Sequence, residues 1–208
     1  MSEERIHGFY AFHGAPESCA KAIITDNVFT STLRPDHWLG QGAYFYREDE
    51  EQAFVWASVK VKNDPKFKGE NPSVIEVFLE SKNTNFLNLD TRAGLLRLYS
   101  YLQLFNDEGL LITANSDIAD LPAKLRCYLL SLLPDEIWMI QRTFKVERSI
   151  FDYSELFVAM ELSLLGTQIC VRNHNVIKEG SMKVLGTRTA KKLARSDFES
   201  LKMEKSDS

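Results

Sequence analysis

Residues 6–13, Ile-His-Gly-Phe-Tyr-Ala-Phe-His, alternate so that Phe9, Ala11 and His13 share one face, and Gly14 and Pro16 stop the run. A second short apolar strand, 42–46, follows only after a polar stretch at 30–41 that holds Pro35 and Gly40. Between them 17–27 reads as a short helix, with Ala20, Ile23 and Ile24 at core spacing. No strand leads into a Gly-x-Gly-x-x-Gly or Walker-type loop, so the phosphate-cradling parallel folds have no support. This opening constrains the chain to an α+β domain more than to a regularly alternating α/β sheet.

The remainder extends that pattern. Residues 48–62 read as a helix whose first turn is acidic (Glu48, Asp49, Glu50, Glu51), with Ala53, Trp56 and Ala57 on one face. Residues 74–80 alternate as a strand, and 85–89 continue the same sheet after a turn. Two patterned helices follow, one lined by Leu95, Leu98, Tyr99, Leu102 and Phe105, the other by Leu121, Leu125, Tyr128, Leu129 and Leu132. Residues 137–146 fit either strand or helix, 154–165 a helix, and 168–173 a strand with Ile169 and Val171 opposite Gln168, Cys170 and Arg172. The whole reads as one domain over 1–200, with a helical insert at about 91–165 and a polar tail at 201–208.

Composition narrows the function classes. At 208 residues with 44% hydrophobic content the chain can bury a continuous core. A net charge of -4 does not advertise a nucleic-acid surface, though it leaves room for a local basic groove. Cys19, Cys127 and Cys170 are odd in number and lack metal-ligand spacing, which favours a reducing compartment and no metal. No secretion signal opens the chain and no apolar run approaches the roughly 20 residues of a membrane span, so a cytoplasmic protein without a membrane partner is expected.

Two short motifs then carry the functional reading. Phe12-His13-Gly14 ends the first strand, and Leu39-Gly40-Gln41-Gly42-Ala43-Tyr44-Phe45 opens the second. In this order, with the acidic-capped helix behind them, they resemble the His-Tyr-Glu clan of ADP-ribosyltransferases. That clan includes diphtheria toxin and the poly(ADP-ribose) polymerases, and the likeness within it is to small bacterial mono-ADP-ribosyltransferase toxins. It covers residues 8–89 well and 168–177 loosely. The resemblance implies split antiparallel sheets with flanking helices, and NAD as co-substrate. It implies that His13 bonds the adenosine ribose, the Gly14 backbone holds the nicotinamide carboxamide, and Tyr44 stacks on the nicotinamide ring. Trp56 would close the other ring face, one residue later than a gap-free comparison puts it. Arg172 would meet the pyrophosphate or the acceptor, against a plain reading as a surface ion-pair arginine.

The third motif position departs from the family. The expected glutamate falls on Gln168, which keeps hydrogen-bonding reach but loses the charge that steadies an oxocarbenium-like transition state, a loss typically worth ~10²–10³ in rate. Three explanations stand: a natural variant that still transfers, a substitution that silences a toxic enzyme, or a protein that only binds a dinucleotide or a partner. Glu161 is a fallback carboxylate. The catalytic set implied is thus Gln168, Tyr44 and His13. The expected function is an intracellular toxin or phage-defence effector, modifying a protein or nucleic-acid acceptor and held in check by an antitoxin or inhibitory partner. An RNA 2′-phosphotransferase shares the fold but fits the Gly-x-Tyr-Phe element poorly. The run 188–195 reads as a solvated basic helix face, and His7, His37 and His174 as exposed.

Overall fold

The computed structural model describes residues 5–35, 37–107, 122–145 and 165–187. In chain order its elements are β1 (Ile6–Pro16), α1 (Glu17–Asp26), β2 (Ala43–Arg47), α2 (Glu50–Asn63), β3 (Pro72–Lys82), β4 (Phe86–Asn88), α3 (Arg92–Asp107), α4 (Pro122–Ser131), β5 (Met139–Lys145), β6 (Leu165–Val171) and β7 (Lys183–Thr187). The fold class is α+β. The seven strands form a single sheet in the order β4-β5-β6-β2-β1-β3-β7. All neighbours are antiparallel except β4 and β5.

Local chemistry accounts for the element ends. The Asp49 side chain accepts the Gln52 N–H at 2.9 Å, while Glu50 and Glu51 occupy the first turn of α2 and Lys60 and Lys62 its last, as the helix dipole favours. The start of α1 has no cap of its own; Glu70 reaches across to accept from the Ser18 N–H and hydroxyl, both at 2.9 Å. Asn27 stops α1 in the left-handed region at φ 54.

The sheet separates two apolar layers. Phe9, Ala11, Ala15, Phe45, Ile75, Val77, Leu79, Ile169 and Val171 pack on one face with α1 and Phe29. On the other, Leu39, Leu87, Leu130, Ile140 and Cys170 pack under α3 and α4, and Phe12, Val74 and Ala53 under α2. Burial of each large side chain in such a layer is worth about 1.5–3 kcal/mol, so the two layers rather than the caps hold the sheet.

Residues 86–88 do join the same sheet, as β4, at its far edge from β3 and paired with β5. Several expectations need correction. The segment 91–165 is not wholly helical, since β5 runs through it and pairs with β6 along seven positions, Met139↔Val171 to Lys145↔Leu165. The apolar run there is a strand buried on both faces, which periodicity alone does not separate from a helix. β7 was not anticipated; it is short and half-exposed, and Lys183 pairs with Glu76 at 2.6 Å. The helix expected at 154–165 lies outside the described residues except for Leu165, which opens β6. Glu161, the basic run 188–195 and the polar tail also lie outside them.

Candidate functional site

β1 and β2 pair at only two positions, Ala11↔Arg47 and Phe12↔Tyr46, and then part. β1 meanwhile stays paired with β3 as far as Pro16. The Tyr10 carbonyl accepts the Glu48 N–H at 3.1 Å, so the backbone groups of even-numbered β1 residues face β2. Gly14 is the first of these beyond the last pair. Among the described residues its N–H and C=O take part in no ladder pair with β2. Their direction leaves them facing the gap between the two strands.

His13 stands at the point of divergence. Its Nδ1 lies 2.7 Å from the Tyr44 carbonyl, and since a carbonyl only accepts, Nδ1 carries the proton. Burial, the largest influence, lowers the pKa of the ring; the Tyr44 bond works against this and the Lys60 charge adds to it. The ring is therefore neutral at pH 7, and Nε2 is an acceptor suited to a hydroxyl proton. Phe29 packs edge-on against it and Phe45 at a tilt, with centroids at 5.1 Å and 5.6 Å.

Register places the other candidates on the opposite face. Phe12↔Tyr46, Tyr46↔Gln168 and Tyr44↔Cys170 are cross-strand partners, so Tyr44, Tyr46, Gln168 and Cys170 project together, away from Phe45 and His13. Tyr44 and Gln168 share a face as expected, whereas His13 meets them only through the gap. The Tyr44 hydroxyl accepts the Leu39 N–H and donates to the Gly40 carbonyl, both at 2.7 Å. Burial raises its pKa well above the ordinary phenol value, so the hydroxyl stays protonated and is not a catalytic base. Cys170 beside it is buried, its thiol pushed up to about 12, and is inert.

The sequence reading missed the neighbours of Gln168. Tyr46 lies directly across from Gln168 on β6; burial, the largest influence, raises the pKa of its phenol, and the neighbouring Gln52 and Gln168 amides work against that rise. The signal was available: Tyr46 lies two residues from Tyr44 on one strand, hence on its face. Trp56 lies one turn beyond Gln52 on α2 and is 51% exposed, with no aromatic partner among the described residues. His37, read as exposed, is half-buried with its ring 5.2 Å from that of Tyr44. His7 is likewise half-buried, against Phe86.

Two glycines are explained by close approach. A Cβ on Gly14 would collide with the Ala53 carbonyl oxygen, because α2 lies directly on β1 there. A Cβ on Gly42 would come 2.5 Å from the Val171 carbonyl oxygen, where β2 meets β6. Arg172 forms none of the ion pairs found among the described residues; its plain reading as a surface ion-pair arginine is replaced by backbone contacts. Its guanidinium donates to the carbonyls of Leu133 at 2.7 Å and of Pro134 and Ile137 at 3.0 Å, tying the end of α4 to the sheet. Among the described residues no three His, Cys, Asp or Glu side chains converge as metal ligands, and no helix is long and apolar enough to cross a membrane.

No protein-family model matches the chain, and no solved structure does. Among curated proteins it is similar to the "Uncharacterized protein MJ0359" of Methanocaldococcus jannaschii, 38% identical over 52 residues, which is 25% of this chain and 24% of that one. The chain thus matches about a quarter of that relative's length.

Proposed function

We propose that this protein is an NAD-dependent mono-ADP-ribosyltransferase, acting as an intracellular toxin or phage-defence effector on a macromolecular acceptor. The observation that carries the reading is the gap between β1 and β2. There Gly14, beyond the last β1–β2 pair, presents its backbone N–H and C=O to a gap bordered by His13 and Tyr44, with Gln168 one strand further along the sheet. A carboxamide needs one donor and one acceptor side by side, and the Gly14 N–H and C=O offer both. Neutral His13 offers Nε2 to a ribose hydroxyl, and Tyr44 and Trp56 offer ring faces to the nicotinamide, aromatic stacking being worth about 0.5–1.5 kcal/mol beyond burial.

In the reaction the bond between nicotinamide nitrogen and ribose C1′ breaks, its electron pair leaves with nicotinamide, and an acceptor nucleophile bonds C1′ while losing its proton to solvent. Gln168, across from Tyr46, holds a ribose hydroxyl as an uncharged partner. That neutrality favours a second reading, in which the protein binds the dinucleotide or a protein partner and turns over slowly or not at all. Incubation with labelled NAD and cell lysate separates the two. The transferase reading expects label on macromolecules with wild type, loss with Gln168→Ala, and activity altered but retained with Gln168→Glu. Absence of label from both wild type and Gln168→Glu, with NAD still bound, supports the binding-only reading. Equal labelling by Gln, Glu and Ala at this position removes Gln168 from the site.

A further inference from the structure

An otherwise acidic chain concentrates Lys60, Lys62, Lys66 and Lys68 within nine residues, at the end of α2 and in the turn that follows. Helix-dipole chemistry accounts for Lys60 and Lys62. It does not account for Lys66 and Lys68, which come after the helix has ended. The nearby acids are spent elsewhere: Asp64 accepts the Lys66 backbone N–H, and Glu70 takes both polar groups of Ser18. The ion pairs seen among the described residues include Lys21 with Glu17, Arg47 with Glu48, Arg142 with Asp90 and Lys183 with Glu76, and none of these uses the four lysines. Two of the ammonium groups are nonetheless gathered over one ring, Lys60 at 5.6 Å and Lys66 at 5.3 Å from the centroid of buried Phe67. Both ammonium groups thus have a ring rather than one of those carboxylates as neighbour, which leaves their charge available to an anion.

The position of this cluster is informative. α2 packs against Gly14 through Ala53 and Ala57, and Lys60 follows within the next turn of the same helix, so the lysines begin next to the candidate site. Trp56 stands one turn before Lys60 on α2, half-exposed. An indole beside a row of ammonium groups is the combination that binds single strands, with phosphates on the cations and a base on the ring. An acidic protein segment would use the lysines but leave the indole without a stacking partner. An indole also has two faces, one for the nicotinamide and one for an incoming base.

We propose that the rim formed by Lys60, Lys62, Lys66 and Lys68 binds the backbone of a single-stranded nucleic acid and delivers it to the gap as the acceptor. This rests on the transferase reading for its purpose, but its test does not involve NAD. Short labelled single strands of RNA and of DNA are titrated into the full chain by fluorescence anisotropy at several salt concentrations. The variant is Lys62→Glu/Lys66→Glu/Lys68→Glu, with Lys60 left in place because it begins the row next to the candidate site. Wild type is expected to bind at low salt, and the two sugars to show which strand is preferred. The glutamate triple should bind at least about tenfold more weakly, with a salt slope smaller by roughly 2, as loss of three single-strand phosphate contacts implies. The arginine triple at the same positions should bind as wild type does, and NAD titration should be unchanged in both. The proposal is overturned if neither strand binds wild type at low salt. It is overturned equally if the glutamate triple binds undiminished, or if a polyglutamate peptide binds as tightly as either strand. Failure of wild type to bind NAD would sink the transferase reading instead, and leaves the oligonucleotide result standing.

Discussion

His13 is held neutral between Phe29 and Phe45, with its Nδ1 proton on the Tyr44 carbonyl. Its folded pKa lies below the unfolded 6.5, so unfolding takes up a proton below that value. Stability from this residue is therefore full above pH 6.5 and falls as pH drops through the lower, folded pKa. Urea midpoints of wild type and His13→Gln, compared between about pH 5 and 8, should diverge in slope below 6.5. Parallel profiles would mean that the ring is not buried neutral. Tyr44 separates into two functions in the same way. Tyr44→Phe orphans the Leu39 N–H and should cost about 1–3 kcal/mol of stability while keeping NAD affinity. Tyr44→Ala should also lose at least about 0.5–1.5 kcal/mol of NAD binding, read by titration calorimetry. Equal NAD affinity in a folded Tyr44→Ala would remove the stacking role.

At the scale of elements, α2 rests on β1 through Gly14, and the end of α4 is pinned to the sheet by Arg172. Arg172→Met leaves three carbonyls without their charged donor and should destabilise the fold by about 1.5–3 kcal/mol or more in chemical denaturation, with NAD affinity unchanged. A stable variant with weakened NAD binding would reverse that assignment. The sequence made the first half of the sheet legible because β1, β2 and β3 alternate cleanly and α2 carries its own acidic start. It left β5 open between strand and helix, because burial on both faces erases the alternation, and it could not show the partners of Arg172, which are carbonyls 35–39 residues away. Tyr44, Gln168 and Cys170 share a face by simple alternation, but which strand lies next to which does not follow from period. That Tyr46 lies directly across from Gln168 depends on that order, and so was invisible until β6 was placed beside β2.

Taken as a whole, the molecule is a single sheet interrupted where β1 leaves β2, and the proposed chemistry depends on that interruption. An amide at residue 168 cannot ionise to polarise an incoming ribose hydroxyl, so each modified acceptor should carry one ADP-ribose. Gel analysis with labelled NAD should show a single shifted species per acceptor site, and ladders would contradict the role given to Gln168. The central claim, that the gap holds the nicotinamide end of NAD, is tested most directly by following backbone amides in solution by NMR as NAD is added. The account predicts that the Gly14 amide shifts on binding and becomes protected from hydrogen exchange, together with His13 and Tyr44, while amides of α4 stay in place. Saturable NAD binding that leaves Gly14 unmoved and unprotected would put the dinucleotide elsewhere and contradict it.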